Sequence, residues 1–205
     1  MNYLAVDTSG KNLTIIICKD DKVYKYFDSE CGVHHSTSLM PEIERLAKKV
    51  GFDFKSADFF SAVVGAGSFT GIRIGVSTIK AMCFAFNKPA LSITSFDTLA
   101  YNDCGDKVLA IIDAKHNGFY VCGYENQQVC LEPCYVDRSA IENLLKEYNG
   151  VAIEEIEGLD IKKVDVVNGL NNAIIKNLDK VSNDLESLSP LYVRKSQADE
   201  GRRTL

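Results

Sequence analysis

The sequence predicts a mixed α/β protein built twice on one plan. Three observations lead there. The N-terminus reads as three short strands joined by tight polar turns. Helix-periodic and strand-like segments then alternate through the first half. The opening pattern returns at Leu109, with the same internal spacing. Strands that pair as hairpins and are then followed by alternating helices and strands make a mixed sheet with helices on its faces.

The elements follow in order. Residues 3–7 form a strand that ends at Asp7, and Thr8-Ser9-Gly10-Lys11-Asn12 is a turn. Leu13 to Cys18 is a second strand, Asp20-Asp21 a hairpin turn, and Val23 to Phe27 a third strand. A helix is expected over 36–50, because Leu39, Ile43, Leu46 and Val50 share one stripe. Ser36 or Thr37 can cap its start, Gly51 supplies its stop, and Pro41 lies near its beginning. Strand 59–64 leads into the run Gly65-Ala66-Gly67-Ser68-Phe69-Thr70-Gly71-Ile72-Arg73-Ile74-Gly75. A helix over 72–86 carries Ile72, Val76, Ile79, Cys83 and Phe86 on one face. Strand 90–94 and a short helix after Ser95 close the first half.

In the second half, Leu109 to Asp113 repeats the first strand and its terminal aspartate. Val129 stands sixteen residues after Asp113, as Val23 stands sixteen after Asp7. Phe119 to Tyr124 is the matching second strand. A helix is expected at 139–148, with Ser139 as cap and Asn149-Gly150 as stop. Glu154-Glu155-Ile156-Glu157 reads as a solvated edge, Val164 to Val167 as a strand, Asn168-Gly169 as a turn and Ala173 to Leu178 as helix. This copy is abbreviated, which divides the chain into 1–102 and a reduced 103–205, with a polar C-terminal tail that packs back or stays disordered. Matching spacing of this kind reads as a structural duplication.

Composition narrows the function classes. The chain has 205 residues, 46% hydrophobic and 25% charged, which is ordinary for a globular protein. A formal net charge of −5 argues against strong free-standing nucleic-acid binding, so any RNA role is expected through a partner. No stretch approaches the roughly 20 apolar residues of a membrane span, and the N-terminus lacks the basic region of a signal peptide. Seven cysteines at irregular spacing, without a Cys-x-x-Cys, point to a reducing compartment and a cytoplasmic address.

The glycine run is the most informative motif. A glycine-rich strand-to-helix loop presents backbone N–H groups where the helix dipole favours an anion, and Arg73 adds a fixed charge with a planar donor fork. Asp7, Gly67, Ser68 and Arg73 are therefore the candidate residues for a phosphate-bearing cofactor. The run is neither a Walker A loop nor a dinucleotide fingerprint, since neither spacing is present. A tight corner needing glycine for backbone approach is the competing explanation. Asp7, and Asp113 in the second half, could orient a metal–phosphate group, as in the actin-like ATPase and sugar-kinase architecture. Each could equally cap its own turn. The segment after Asp113, Ala114-Lys115-His116-Asn117-Gly118, has one glycine and a bulky histidine, which weakens an ATPase reading. His34 and His35 diverge as sequence neighbours and are a poor metal pair, and His116 is isolated in its turn. Ser68 has no evident base and no nucleophile elbow. A good scaffold thus carries a thin catalytic inventory.

These residues resemble the TsaB (YeaZ) family. The likeness rests on Asp7-Thr8-Ser9, on His35-Ser36 leading into Leu39-Met40-Pro41-Glu42-Ile43, and above all on Gly65–Gly75. Ile112-Asp113-Ala114-Lys115 and Pro190-Leu191-Tyr192-Val193-Arg194-Lys195 match the later segments. The resemblance implies the actin-like ATPase (ASKHA) architecture, with two RNase H-like halves and the second reduced. It implies a non-catalytic subunit in forming threonylcarbamoyladenosine on tRNA, which binds and activates a TsaD-type paralogue alongside a TsaE-type ATPase. It implies no cofactor of the chain's own, though a nucleotide could sit at the partner interface, and tRNA contact only through the complex. The expected partner-binding residues are Leu39, Ile43, Gly71, Arg73, Gly75, Val76 and Ile79, on helices whose surface could also pair with a second copy. Ala66 stands where the family usually has proline, and the C-terminus is short. The alternatives are an actin-like ATPase or kinase acting alone, and a peptidase, for which neither a metal pair nor an activated nucleophile is visible.

Overall fold

The computed structural model describes residues 1–102, 104–115 and 117–194. His116 and the polar tail from Lys195 onward therefore lie outside the described residues. Two five-stranded mixed sheets organise the chain. The first contains β1 (Tyr3–Asp7), β2 (Leu13–Lys19), β3 (Lys22–Asp28), β4 (Phe59–Val63) and β5 (Ala90–Ile93), in the order β3-β2-β1-β4-β5. The second contains β6 (Lys107–Asp113), β7 (Gly118–Glu125), β8 (Gln128–Asp137), β9 (Asn149–Ala152) and β10 (Ile161–Lys163). Its order, β8-β7-β6-β9-β10, repeats that of the first. In each sheet the first three strands pair antiparallel and the remaining ones join parallel. This is the duplicated, actin-like α/β architecture that the repeated spacing and the resemblance predicted.

The helices are α1 (His35–Val50), α2 (Phe69–Phe86), α3 (Ser95–Ala100), α4 (Arg138–Leu144) and α5 (Val166–Lys176). The period-two alternation of the strands sends each face of the first sheet into its own core. Leu4, Val6, Leu13, Ile15 and Phe60 pack with Leu39 and Ile43 of α1 and Ile72 and Ile79 of α2. Tyr3, Ala5, Ile16 and Phe59 point the other way, into a core shared with α3, α5 and Val108, Ala110 and Val151 of the second sheet. That second core joins the two halves. The second half is reduced in one identifiable way: a helix, α2, carries the chain from β4 to β5, whereas β9 and β10 are joined by turns among the described residues.

Several local expectations are corrected. α1 begins at His35 with no side-chain cap, so neither Ser36 nor Thr37 caps it. α2 begins three residues early, because the Ser68 side chain accepts from the Gly71 amide and opens the helix inside the glycine run. α4 is capped by Asp137 rather than Ser139. Asn149-Gly150 opens strand β9 instead of ending a helix. Val166-Val167 and Asn168-Gly169 are the start of α5, not strand and turn. Asp165 caps it by accepting from the Val167 and Asn168 amides, and Val166, Leu170, Ala173 and Ile174 form its buried stripe. Gly169 lets α5 lie against α3, since a Cβ there would overlap the Thr98 carbonyl oxygen. α2 has the length and composition to cross a membrane, at 18 residues and mean hydropathy 1.3. Its buried face, from Gly71 to Cys83, instead seats on β4 and β1, as a core helix does.

Candidate functional site

The first hairpin and the glycine loop meet at the ends of β1 and β4. Asp7, the last residue of β1, is buried at 2% exposure. Its Oδ1 accepts from the Ser9 amide at 2.8 Å and the Ser9 hydroxyl at 2.7 Å. The Ser95 hydroxyl, from the first turn of α3, donates to the Ser9 hydroxyl at 2.9 Å. Burial pushes the Asp7 carboxyl above the usual carboxylate range, and the two Ser9 hydrogen bonds and the nearby His35 pull against it. His35 is itself buried, with Nε2 2.9 Å from the Asn12 carbonyl oxygen.

The glycine loop closes onto this hairpin. The Ser68 amide donates to the Ser9 carbonyl at 2.7 Å, and the Thr8 hydroxyl donates to the Gly71 carbonyl at 2.7 Å. A Cβ at Gly67 would overlap Ser9 O, and one at Gly71 would overlap Thr8 O. One at Gly75 would meet Thr8 Oγ1 at 2.5 Å. Three of the run's glycines therefore mark close contact with the Asp7 turn, as the corner explanation expects. The Gly71 amide is taken by Ser68 Oγ at 3.2 Å and the Ile72 amide by Ser68 O at 2.9 Å.

Arg73 does not turn toward Asp7. Its Nε donates to the Tyr192 hydroxyl at 2.8 Å, and its guanidinium lies against the Phe69 and Tyr192 rings. Those rings stack at 4.3 Å between centroids. The C-terminal segment carrying Tyr192 is anchored by a 2.7 Å bond from the Leu191 amide to the Val64 carbonyl and by the fully buried Leu188. The structure thus joins Asp7, Gly67 and Ser68 in one contact and draws Arg73 into another. In the sequence, Ser9 and Tyr192 enter only as part of the family likeness, with no contact assigned to either, and Ser95 only as the start of a short helix.

The second aspartate is placed differently. Asp113 is exposed; it accepts from the Lys115 amide at 2.7 Å and pairs with Lys115 Nζ at 3.1 Å. Both aspartates cap their own turns through the amide two residues on, but Asp7 is buried and also accepts from the Ser9 hydroxyl, whereas Asp113 is exposed beside Lys115. Lys11, in the first turn, pairs with Glu30 at 3.0 Å and also with Glu154 of the second half. Among the described residues no group of three His, Cys, Asp or Glu is placed to hold a metal ion. A separate polar cleft of about 450 Å³ lies between α3, α5 and the second sheet, lined by Tyr101, Asn102, Asp106, Tyr124, Gln127 and Lys176.

The expected partner residues are mostly spent inside the chain. Leu39, Ile43, Val76 and Ile79 are at most 5% exposed and pack on the first sheet, and Gly71 and Gly75 face Thr8. The helical stripe read from the sequence is the inward one, so these side chains hold the helices from beneath. The outward faces present Met40 and Glu44 on α1, and Arg73, Ser77, Ala81 and Phe84 on α2. Phe84 is 85% exposed.

Residues 29–199 match the family model described as TsaD, tRNA N6-adenosine threonylcarbamoyltransferase. The chain is 30% identical over 145 residues to the tRNA threonylcarbamoyladenosine biosynthesis protein TsaB of Bacillus subtilis, covering 69% of this chain and 62% of that protein. It is 24% identical over 132 residues to the protein of the same name from Escherichia coli, covering 62% and 57%. The matches thus span about three fifths of the length of these two relatives. Two solved Pseudomonas aeruginosa structures share the fold. One, described as YeaZ, superposes with a TM-score of 0.75 at 18% identity, covering 93% of this chain and 99% of that one. The other, described as similar to peptidase YEAZ, gives 0.77 at 20% identity, covering 94% and 99%. With the family model matched over most of its length and TsaB proteins among its relatives, the chain belongs to the TsaB (YeaZ) family, within the group that the TsaD model covers.

Proposed function

We propose that the chain is a non-catalytic subunit in the formation of threonylcarbamoyladenosine on tRNA. It binds and activates a TsaD-type transferase and works with a TsaE-type ATPase. The observation that carries this reading is the closed glycine loop. The Ser68, Gly71 and Ile72 amides, the Gly71 carbonyl and Oδ1 of Asp7 are engaged by Ser9, Thr8 and Ser68 of the same chain. The motif that would cradle a phosphate serves as internal packing. What remains on the surface is a pair of helices with outward side chains suited to docking.

α2 supports that role with Ser77 and Ala81, small enough for a partner helix to approach, and with the protruding Phe84 as an apolar anchor. The same faces could pair with a second copy, so a homodimer competes with the heterodimer. The chain holds no cofactor of its own, and any nucleotide would sit where it meets its partner. The net charge of −5 favours reaching tRNA through the complex.

The test is a reconstituted reaction containing threonylcarbamoyl-adenylate, unmodified tRNA, ATP and the TsaD- and TsaE-type proteins of the same source, run with and without this chain. Modified-nucleoside analysis should show multiple-turnover modification only when the chain is present, and none with the chain alone. Equal turnover in its absence would refute the proposal.

A further inference from the structure

We infer that Phe69 and Tyr192 hold the Arg73 guanidinium as a preformed fork for a carboxylate on the protein that docks against α2. The inference rests on the partner reading above and names the chemistry of that contact.

Arg73 is an exposed arginine that is held in place without being neutralised. Its Nε is fixed by the Tyr192 hydroxyl at 2.8 Å, and its guanidinium carbon lies 5.7 Å from the Tyr192 ring centre and 5.9 Å from that of Phe69. The two rings stack at 4.3 Å with 12° between their planes, so they form one rigid support. Tyr192 does not hang on a free tail, because the neighbouring Leu191 is bonded to Val64 O at 2.7 Å and Leu188 is buried. Two other arginines end on acidic groups: Arg45 on Glu42 at 2.6 Å, and Arg138 on Glu142 at 3.4 Å. Arg73 has no carboxylate within ion-pair reach among the described residues, and both of its Nη groups are left over after the Tyr192 bond.

An arginine with only Nε engaged still offers the planar, paired donors that match a carboxylate. Fixing the long side chain beforehand removes rotamer entropy that binding would otherwise lose. The surroundings favour a protein carboxylate over a phosphate chain. Along the outward face of α2 the neighbours are the uncharged Ser77, Ala81 and Phe84, and the nearby Lys80 is already paired with Glu186 at 3.7 Å. A polyanion would meet few cations on this face of a chain of net charge −5. A partner helix carrying one acidic side chain would meet a complementary, slender face.

The experiment measures the affinity of the full chain for the TsaD-type protein of the same source, by calorimetry at low and at high salt. Wild type is compared with Arg73→Gln, Arg73→Lys and Tyr192→Phe. Arg73→Gln should weaken binding about tenfold at low salt and remove most of the salt dependence. Arg73→Lys keeps the charge but loses the fork, and should fall between. Tyr192→Phe keeps the stack and loses only the bond to Nε; it should weaken binding about threefold, with an unchanged thermal midpoint. In the Arg73→Gln background Tyr192→Phe should add nothing, since its effect runs through Arg73.

If wild type binds and the variants bind equally well, the inference is overturned and the partner reading stands. A Tyr192→Phe effect that persists without Arg73 also overturns it. Failure of wild type to bind overturns the partner reading, and the inference with it. Sedimentation equilibrium of the chain alone and titration with unmodified tRNA are run on the same variants. An Arg73 effect confined to either of those would make the occupant a second copy or an RNA, and would overturn the carboxylate assignment.

Discussion

Gly71→Ala separates helix propensity from packing with a sign. Gly71 lies in the first turn of α2, where alanine should gain about 1 kcal/mol if only propensity mattered. The added Cβ would, however, overlap the Thr8 carbonyl oxygen, a backbone atom that cannot rotate away. The start of α2 must then move off the Asp7 turn. That movement breaks the Thr8 hydroxyl bond to Gly71 O and the Ser68 amide bond to Ser9 O, both 2.7 Å, at about 1 kcal/mol each. Overpacking contributes roughly 2 kcal/mol more. Against the propensity gain, the net is about 3 kcal/mol destabilising, which for a chain of this length lowers Tm by roughly 6–12 °C. Urea and thermal unfolding of the purified variant measure it. Gly75→Ala is the internal comparison, because its Cβ meets a side-chain oxygen, Thr8 Oγ1, at 2.5 Å. Its cost should be smaller and should shrink further in a Thr8→Ala background. A Gly71→Ala protein as stable as wild type, or more so, would refute the packing argument.

Three further outcomes follow from the same geometry. Because burial raises the Asp7 carboxyl, its contribution is fully present below the unfolded value of about 3.9 and is lost as pH rises through the higher folded value. Asp7→Asn, which can still accept from Ser9, should therefore remove part of the stability loss seen by urea unfolding as pH rises from 4 toward neutrality; identical pH profiles would count against it. Phe84→Glu should leave Tm within about 1 °C, because the side chain is 85% exposed, while abolishing co-elution with a TsaD-type protein. Burial pushes the Cys83 thiol up to about 11 and Cys122 up to about 12, whereas Cys130 is exposed. Native-state thiol labelling at neutral pH, read by mass spectrometry, should mark Cys130 first and the other two only after unfolding.

What was legible in the sequence follows from how local each signal is. The hairpin strands, the stripes of α1 and α2 and the sixteen-residue repeat are read from neighbouring residues, and the two sheets reproduce them. The errors occur where one local signal competes with another. Val164-Asp165-Val166-Val167 alternates like a strand, yet the Asp165 cap and the stripe continuing to Ile174 make it a helix start. Asn149-Gly150 has turn chemistry, yet Gly150 is buried in β9 beside β6 and β10. The site was half legible. A glycine announces close approach without naming the neighbour. Here the neighbours are Thr8 and Ser9, some 60 residues earlier in the chain. The expected partner-binding residues follow an apolar stripe, which marks the buried side of a helix, and Leu39, Ile43 and Ile79 find that burial within their own chain.

The two halves keep one topology and cap the matching turn with an aspartate in each, but they bury the first aspartate and leave the second exposed. Two facing turns with accessible carboxylates could hold a charged ligand between them. Here Asp7 is sealed by Ser9 and by a glycine loop that fits only because it lacks side chains, while Asp113 lies in the open beside Lys115. Lys11, in the first of these turns, is paired to Glu30 and to Glu154 of the second half. Among the described residues, Asp7, Asp113 and Lys11 each have a partner in the chain. The same closure makes α2 rigid: its first turn is fixed to the Asp7 hairpin on the inner side and to Tyr192 on the outer side. A helix held from both sides presents its outward face in one geometry, which a docking surface needs and a nucleotide-gripping loop that must open and close does not. The contacts that close the glycine loop on the Asp7 turn also fix the start of α2, so on the proposed docking role loosening them should weaken partner binding. Gly71→Ala, at temperatures where it stays folded, should accordingly bind a TsaD-type protein less tightly than wild type although residue 71 itself faces inward. Wild-type affinity in that variant would show that the two roles are independent.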